Sequence, residues 1–227
     1  MSCLIDSEPN GTDLMKDYVN LIHREEEFLI AAEKGDTMRL EKYIRNGKTN
    51  IHQKNYLGQN ALHLAVVSGN ETAVSLLLKA GVETNVKDHL GATALSLCLF
   101  RRPSLKVAKL LFKYGAFLLP RATKCDTGLF LQFIMMCIPT NEEAKIIELL
   151  LAQGAVINDP QAPGGRQALH FAAMSNNCEL IRILVDLGAN LYVTNHRNET
   201  PKNVACTFDC KEAYKLLVQM EEMTRVS

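Results

Sequence analysis

The sequence contains no tryptophan, and aromatic residues make up only 6% of its 227 residues. It also has no excess of either charge, because 25 lysines and arginines balance 25 aspartates and glutamates. Proteins that hold nucleic acid through its phosphates carry a basic excess, so we expect no direct nucleic-acid binding. The longest apolar run, 129–138, contains Gln132 and is far shorter than the ~20 residues that span a bilayer. We therefore expect no membrane insertion.

Paired cysteines are also lacking. The seven cysteines are scattered, and the closest pair, Cys206 and Cys210, has no second Cys or His pair at metal-ligand spacing nearby. This distribution predicts neither a metal site nor a disulfide framework. The first residues show no positive segment followed by an apolar core, so no secretory signal is predicted. We expect reduced thiols in the cytoplasm, the nucleus or both.

What the sequence does contain is a repeat. Aligning the leucine of the Asn60–Ala65 stretch, Asn-Ala-Leu-His-Leu-Ala, with its weaker copies gives intervals of 34, 33, 34, 40 and 33 residues. The glycine after the second apolar cluster recurs independently, at intervals of 34, 34, 39 and 34 residues. Two markers with one period predict six stacked units. The aligned positions are Phe28, Leu62, Leu95, Leu129, Leu169 and Lys202 for the first marker, and Gly47, Gly81, Gly115, Gly154 and Gly188 for the second.

Each unit predicts two short helices. Asn60, Thr93 and Thr200 stand where a helix N-cap is favoured, and the recurring leucine is expected to point into the core. A polar turn then leads to a second helix, which ends at a glycine suited to the left-handed C-cap. In the sixth unit Lys202 replaces the core leucine, and the acids and lysines of 211–222 predict a polar outer face typical of a terminal cap.

This pattern resembles the ankyrin repeat, whose signature is Thr-Pro-Leu-His-x-Ala in a unit of a β-turn and two antiparallel helices. The resemblance implies an all-α fold, a right-handed ankyrin-repeat solenoid with β-turn or hairpin tips and an N-terminal capping helix. It covers residues ~25–222, in units of ~25–54, 55–87, 88–121, 122–159, 160–194 and 195–222. Residues 1–24 are expected to form a polar lead and the cap, and 223–227 a short tail.

The repeat also bears on catalysis, because His63 and His170 occupy its histidine position and are expected to bond to backbone. No nucleophile–histidine–acid set or phosphate-binding loop is visible, and we expect neither catalysis nor a cofactor. Gly164 and Gly165 are interpreted as a flexible part of an inserted loop. The expected structural residues are Leu62, His63, Gly81, Leu95, Gly115, Gly154, Leu169, His170 and Gly188.

Binding of another protein is the function that the resemblance implies, through a concave face and the exposed tips. The tips carry residues 55–57, 88–90, 124–126 and 195–197. Phe130, Met135 and Met136 are interpreted mainly as core, although methionines also suit contact surfaces. The residues expected to bind a partner are Tyr56, Leu57, His89, Leu90, Met135, Met136, His196 and Arg197.

Two short patterns suggest modification. Arg101-Arg102-Pro103-Ser104-Leu105 resembles a basophilic-kinase substrate, with a plain helix cap as the alternative for Ser104. Asn85, which follows Leu77 by eight residues and Glu83 by two, resembles the ankyrin asparagines that asparaginyl hydroxylases modify; an ordinary turn asparagine is the alternative.

The expected function is that of a non-catalytic intracellular scaffold or adaptor, itself monomeric. The main alternative is a sequestering inhibitor of a signalling or transcription factor, similar to the inhibitor-of-kappa-B proteins. A remote alternative is an enzyme with a reactive cysteine in the fourth unit, where Cys125, Asp126 and Cys137 lie.

Overall fold

The computed structural model describes residues 11–118, 128–137, 140–160 and 162–226. These ranges form twelve α-helices and one short 3-10 turn, and their only extended pairing is an antiparallel bridge between Lys54 and Asn60. The helices follow one another as the six pairs that the repeat predicts. They are α1 Gly11–Lys34, α2 Thr37–Asn46, α3 Ala61–Ser68, α4 Glu71–Lys79, α5 Ala94–Arg101, α6 Leu105–Lys113, α7 Gly128–Met136, α8 Asn141–Ala152, α9 Ala168–Met174, α10 Cys178–Asp186, α11 Pro201–Thr207 and α12 Lys211–Val226, with the 3-10 turn at Pro163–Gly165.

The chain divides into two compact units. One contains the residues as far as Arg102 together with Lys113–Gly115, and the other contains Pro103–Phe112 and the chain from Ala116 onward. In the first unit α3 packs between α1 and α5, while α2 packs on α4. In the second unit α9 packs between α7 and α11, while α10 packs on α12. Each unit therefore has a layer of first helices and a layer of second helices.

Side-chain caps start the first helices, as the sequence predicts. The side-chain oxygens of Asn60, Thr93 and Thr200 each accept a bond from the backbone N–H three residues on, at 3.2, 3.2 and 3.3 Å. These bonds satisfy amides that have no partner inside the helix. The second helices end at the predicted glycines, whose φ angles of +62° to +95° lie in the left-handed region: Gly47, Gly81, Gly115, Gly154 and Gly188.

The core is built from the recurring leucines and from alanines. Leu62, Leu95 and Leu169 are at most 2% exposed, and Ala65 and Ala172 are fully buried. The alanines let neighbouring first helices approach closely, as the sequence predicts. In the fourth pair, bulky residues of α7 fill the corresponding space, namely Phe130, Leu131, Phe133 and Ile134, each at most 7% exposed.

The N-terminal capping helix is present, but it is continuous with the first helix of the first repeat. The boundary placed at residue 24 falls inside α1, which runs unbroken from Gly11 to Lys34. Residues 23–26 are His-Arg-Glu-Glu, and no Gly or Pro separates Thr12 from Lys34, so nothing in the sequence ends a helix there. The ring of Phe28 packs edge-to-face on Tyr43 of α2, with centroids 6.3 Å apart.

The sixth pair is partly polar inside as well as outside. Lys202, which replaces the core leucine, places Nζ 2.5 Å from Oε2 of Glu221. Glu221 is only 5% exposed, although the sequence analysis assigned it to the outer face. The misassignment has a simple cause: residues 202 and 221 are 19 positions apart, and only the packing of α11 on α12 brings them together. Helix α12 also continues to Val226, so most of the expected tail is helical.

Candidate protein-interaction surface

Three of the tips share one backbone design. A side-chain oxygen of Asn55, Asp88 or Asn195 accepts bonds from the backbone N–H groups two and four residues on, at 2.8–3.0 Å. Such Asx turns hold a tight loop with the side chain in place of backbone. Asp88 and Asn195 are 7% and 4% exposed. These residues, which the sequence analysis counted among the exposed tip residues, are therefore internal supports of the tips.

The supported tips expose the residues that follow. Tyr56 is 86% exposed, Leu90 is 92% exposed and Leu57 is 43% exposed. Arg197 and His196 are also exposed. Tyrosine and arginine are among the residue types most often found as anchors of protein interfaces. The structure thus places Tyr56, Leu57, Leu90 and Arg197 where contact with a partner is open to them, and whether they bind one stays a prediction.

His89 and His196 have a structural contact that the sequence did not predict. Each donates its backbone N–H to the carbonyl of the preceding tip, His89 to Leu57 at 2.9 Å and His196 to Gly164 at 3.0 Å. Each imidazole also covers the glycine of that tip: a Cβ atom on Gly58 or Gly165 would lie 2.7 Å from the ring. These two histidines therefore join consecutive tips. Gly165 is buried in the tip of the fifth repeat, whereas Gly164 is exposed. The flexibility expected of this pair stays a prediction.

His63 and His170 link neighbouring repeats, as expected for a structural role. Nδ1 of His63 accepts the N–H of Asn60 at 3.3 Å, and Nε2 donates to the carbonyl of Ala92 in the next tip at 3.2 Å. His170 bonds in the same way to Gln167 N–H at 3.1 Å and to the Glu199 carbonyl at 3.0 Å. Burial, which disfavours the charged ring, lowers the pKa of both histidines below 6.5. A neutral imidazole with both nitrogens bonded to backbone groups has a structural role.

Met135 and Met136 lie on the surface of α7, not in the core. They are 53% and 68% exposed, whereas Phe130 is 7% exposed. The interpretation of the two methionines as mainly core is therefore wrong, and that of Phe130 is right. Phe133 and Ile134 already fill the buried side of this helical turn, which leaves the next two residues at the helix end facing solvent. Because both side chains are exposed, Met135 and Met136 are able to contact a partner.

The cysteine that the structure describes in the fourth repeat is a poor nucleophile. Burial, followed by the nearby charge of Glu143, raises the pKa of the Cys137 thiol to about 11. The thiolate is the reactive form, and at neutral pH this thiol stays protonated. Cys125 and Asp126, the other residues of the enzyme alternative, lie outside the described residues, as does Lys124 of the same tip.

Ser104 and Asn85 both form hydrogen bonds with backbone groups. The Ser104 hydroxyl accepts the N–H of Val107 at 3.4 Å, which is the helix-cap role given as its alternative. The Asn85 amide donates to the carbonyl of Gly115 at 2.7 Å. Asn158 makes the same bond to Gly188 at 3.0 Å. Phosphorylation of Ser104 and hydroxylation of Asn85 stay predictions.

One surface was missed by the sequence analysis. Ile22, Glu26, Ile30 and Glu33 recur at helical spacing along α1, and all four are exposed. The signal was present, because Phe28, Ala31 and Ala32 mark the buried face and leave these residues opposite. The boundary placed at residue 24 divides these residues between the N-terminal cap and the first repeat, although α1 is one helix.

Within the described ranges, no three His, Cys, Asp or Glu side chains are grouped as metal ligands. Among the same residues, no helix is long and apolar enough to cross a bilayer.

The comparison with known proteins identifies the family of this fold. A family model described as ankyrin repeats (3 copies) matches residues 28–121 and 134–226. The chain belongs to the ankyrin-repeat family. Ankyrin repeats are protein-interaction modules, and the exposed tips described above are features of such a module.

Two individual relatives share less than a third of their aligned residues with this chain and cover only part of it. An L-asparaginase of Dirofilaria immitis is 29% identical over 86% of this chain but only 31% of its own length, and the nuclear factor NF-kappa-B p105 subunit of Gallus gallus is 31% identical over 68% of this chain and 16% of its own. This ankyrin-repeat chain thus spans less than a third of either protein.

Two solved structures are similar in fold. One is a chain from the complex of a Bdellovibrio bacteriovorus predatory endopeptidase with its immunity protein, with TM-score 0.69 and 26% identity over 85% of this chain and 96% of that chain. The other is the human ASB11 ankyrin repeat domain, with TM-score 0.67 and 21% identity over 85% and 82% of the two chains.

Proposed function

We propose that this ankyrin-repeat protein is a non-catalytic scaffold or adaptor of the cytoplasm or nucleus, which binds a protein partner through its tips. The observation that carries the proposal is the design of the tips. Tyr56 is 86% exposed and directly follows the half-buried Asn55, and Leu90 is 92% exposed and lies two residues after the buried Asp88. A preorganised backbone reduces the ordering cost of binding, and tyrosine is among the residue types enriched at interface hot spots.

The reactive-cysteine alternative has little support. The raised pKa of Cys137 leaves it protonated at neutral pH, and the match to L-asparaginase covers less than a third of that protein. The intracellular assignment is supported by five described cysteines that form no disulfide: Cys98, Cys137, Cys178, Cys206 and Cys210.

Affinity purification of the tagged full chain from its native cells tests the proposal. The test variant changes Tyr56, Leu90 and Arg197 to alanine, since none of these supports the tip backbone through its side chain. We expect captured partners to fall at least about tenfold, because interface anchors cost more than about 1.4 kcal/mol each when truncated.

A matched control changes Met38, Lys42 and Met223 to alanine, which are also exposed but lie on second helices. It should retain the partners. Equal recovery with both variants would show that the tips are not the binding surface.

The sequestering-inhibitor alternative is favoured by one comparison, the similarity to a chain from an endopeptidase–immunity protein complex. The two functions differ in what happens to the partner. An inhibitor abolishes the partner's activity at one-to-one stoichiometry, whereas a scaffold leaves it active. Titrating the captured partner with purified protein decides between them.

A further inference from the structure

A groove of about 610 Å³ runs between α1 and the first tip, at the missed surface of α1. Its floor is apolar and is formed by Ile22, Leu29, Ile30 and Leu64. Ile22 and Ile30 are 41% and 43% exposed, so the floor is open to solvent. The groove lies wholly within the first compact unit.

The far wall of the groove is the first tip. Tyr56 and Leu57 line it, and the side-chain amide of Gln53 donates to the carbonyl of Glu25, which ties the tip to α1. The Asx bonds accepted by the half-buried Asn55 also hold this tip. Both walls are thus fixed in position before any ligand arrives.

The rim of the groove is acidic. Glu25, Glu26 and Glu33 line it along α1, and Lys54 is the single lysine or arginine among the lining residues. No described side chain forms an ion pair with any of the three carboxylates. The molecule as a whole is neutral, so this surface concentrates negative charge locally and attracts a positively charged ligand.

We propose that this groove binds a basic amphipathic segment of another protein, with apolar residues on one face and lysines or arginines flanking them. The apolar face packs on Ile22, Ile30 and Tyr56, and the basic residues pair with the glutamates of the rim. Carboxylates along the rim repel nucleic acid. An open groove with an apolar floor and charged edges suits the helix-in-groove mode of peptide recognition.

The proposal rests on the proposed function and adds the chemistry of the partner to it. Its test uses defined peptides, so it can fail while the tip variants above still lose their native partners. The probe is a fluorescent helical peptide of about four turns, with leucines at i, i+3, i+4 and i+7 and lysines elsewhere. A second peptide has glutamate in place of every lysine.

Fluorescence anisotropy with the full chain measures the two affinities. We expect the lysine peptide to bind at least about tenfold more tightly than the glutamate peptide at 0.1 M salt, and the preference to shrink at 1 M salt, where the Debye length falls from about 10 to about 3 Å. The charge-reversal variant Glu25→Lys/Glu26→Lys/Glu33→Lys should prefer the glutamate peptide. Ile30→Gln should weaken lysine-peptide binding with every charge intact, which separates groove binding from general attraction between charges.

The control Glu83→Lys/Glu148→Lys/Glu222→Lys changes the net charge equally at exposed sites outside the groove. It should keep the preference for the lysine peptide. Equal binding of both peptides to the unmodified chain would overturn the proposal and would indicate an uncharged apolar partner. Loss of the preference in the control would overturn it as well, because net charge and not the groove would then be responsible.

Discussion

At the scale of single residues, the side chains that support the backbone of a tip differ from those that face solvent. Asn55, Asp88 and Asn195 hold the backbone from within, while the next residues along the chain face solvent. A local signal for this was present in the sequence: Asn55 and Asp88 each stand three residues before a glycine, and Asn195 stands three before Asn198, whose φ is +57°. The pattern is Asx followed three residues later by a left-handed residue, and it indicates a supporting role for the Asx side chain.

Replacing Asp88 by alanine should destabilise the protein while leaving its surface intact. The N–H groups of Leu90 and Ala92 would lose their acceptor, and we expect the free energy of unfolding in urea to fall by about 1–3 kcal/mol. Asp88→Asn should recover most of this loss, because asparagine fills the same role in the other two tips. Leu90→Ala, at a 92% exposed position, should change stability by less than about 0.5 kcal/mol. A larger loss from Leu90→Ala than from Asp88→Ala would refute the division of roles.

The two core histidines predict a pH dependence. Burial lowers their folded-state pKa below the value of 6.5 for a free histidine, so the unfolded chain takes up protons first as the pH falls. Stability is therefore fully present above pH 6.5 and is lost as the pH falls through the folded-state pKa. Within that window each histidine contributes a slope of up to about 1.4 kcal/mol per pH unit. Urea unfolding at pH 7.5 and 5.5 measures this loss, and equal stability at the two values would contradict it.

At the scale of elements, periodic and capping signals predicted the helices correctly. N-caps and left-handed glycines depend on a few neighbouring residues, so Asn60 and Gly81 are legible in the sequence alone. Contacts between residues far apart in the sequence could not be predicted in this way. The pairing of Lys202 with Glu221 depends on how α11 packs on α12, and the exposure of Met135 depends on which side of α7 the fold buries.

The Lys202–Glu221 pair should stabilise the last repeat. The stability lost when the pair is broken should depend on whether a charged partner remains. Lys202→Met leaves the carboxylate of Glu221 nearly buried without a partner, and we expect a cost of roughly 3 kcal/mol. The double variant Lys202→Met/Glu221→Met should recover much of this cost, because no charge is then left unpaired. Urea unfolding followed by circular dichroism provides the measurement.

Lys211→Met is the matched control for this pair, since Lys211 forms only a long, exposed contact of 3.9 Å with Asp209. It should change stability by less than about 1 kcal/mol. A double variant less stable than Lys202→Met would show that the unpaired carboxylate is not the source of the cost.

At the scale of the whole molecule, the repeat predicted the family and the number of helix pairs, but not the surface that distinguishes this chain. Residues that define the family recur, and recurrence is what a sequence displays most clearly. The acidic rim of the groove occurs once, on a helix that joins the N-terminal cap to the first repeat. Its recognition requires knowing that residues 22–33 are one helix and which side of it packs on α3.

The tip design has a practical consequence for engineering. The Asx side chains and the contacts of His89 and His196 maintain the loops. Residues 56, 57, 90 and 197 are therefore positions where a combinatorial library would alter what the protein recognises without changing its fold. Natural substitutions at these positions should also leave the fold unchanged. Related chains are therefore expected to differ in their binding partners more than in their fold.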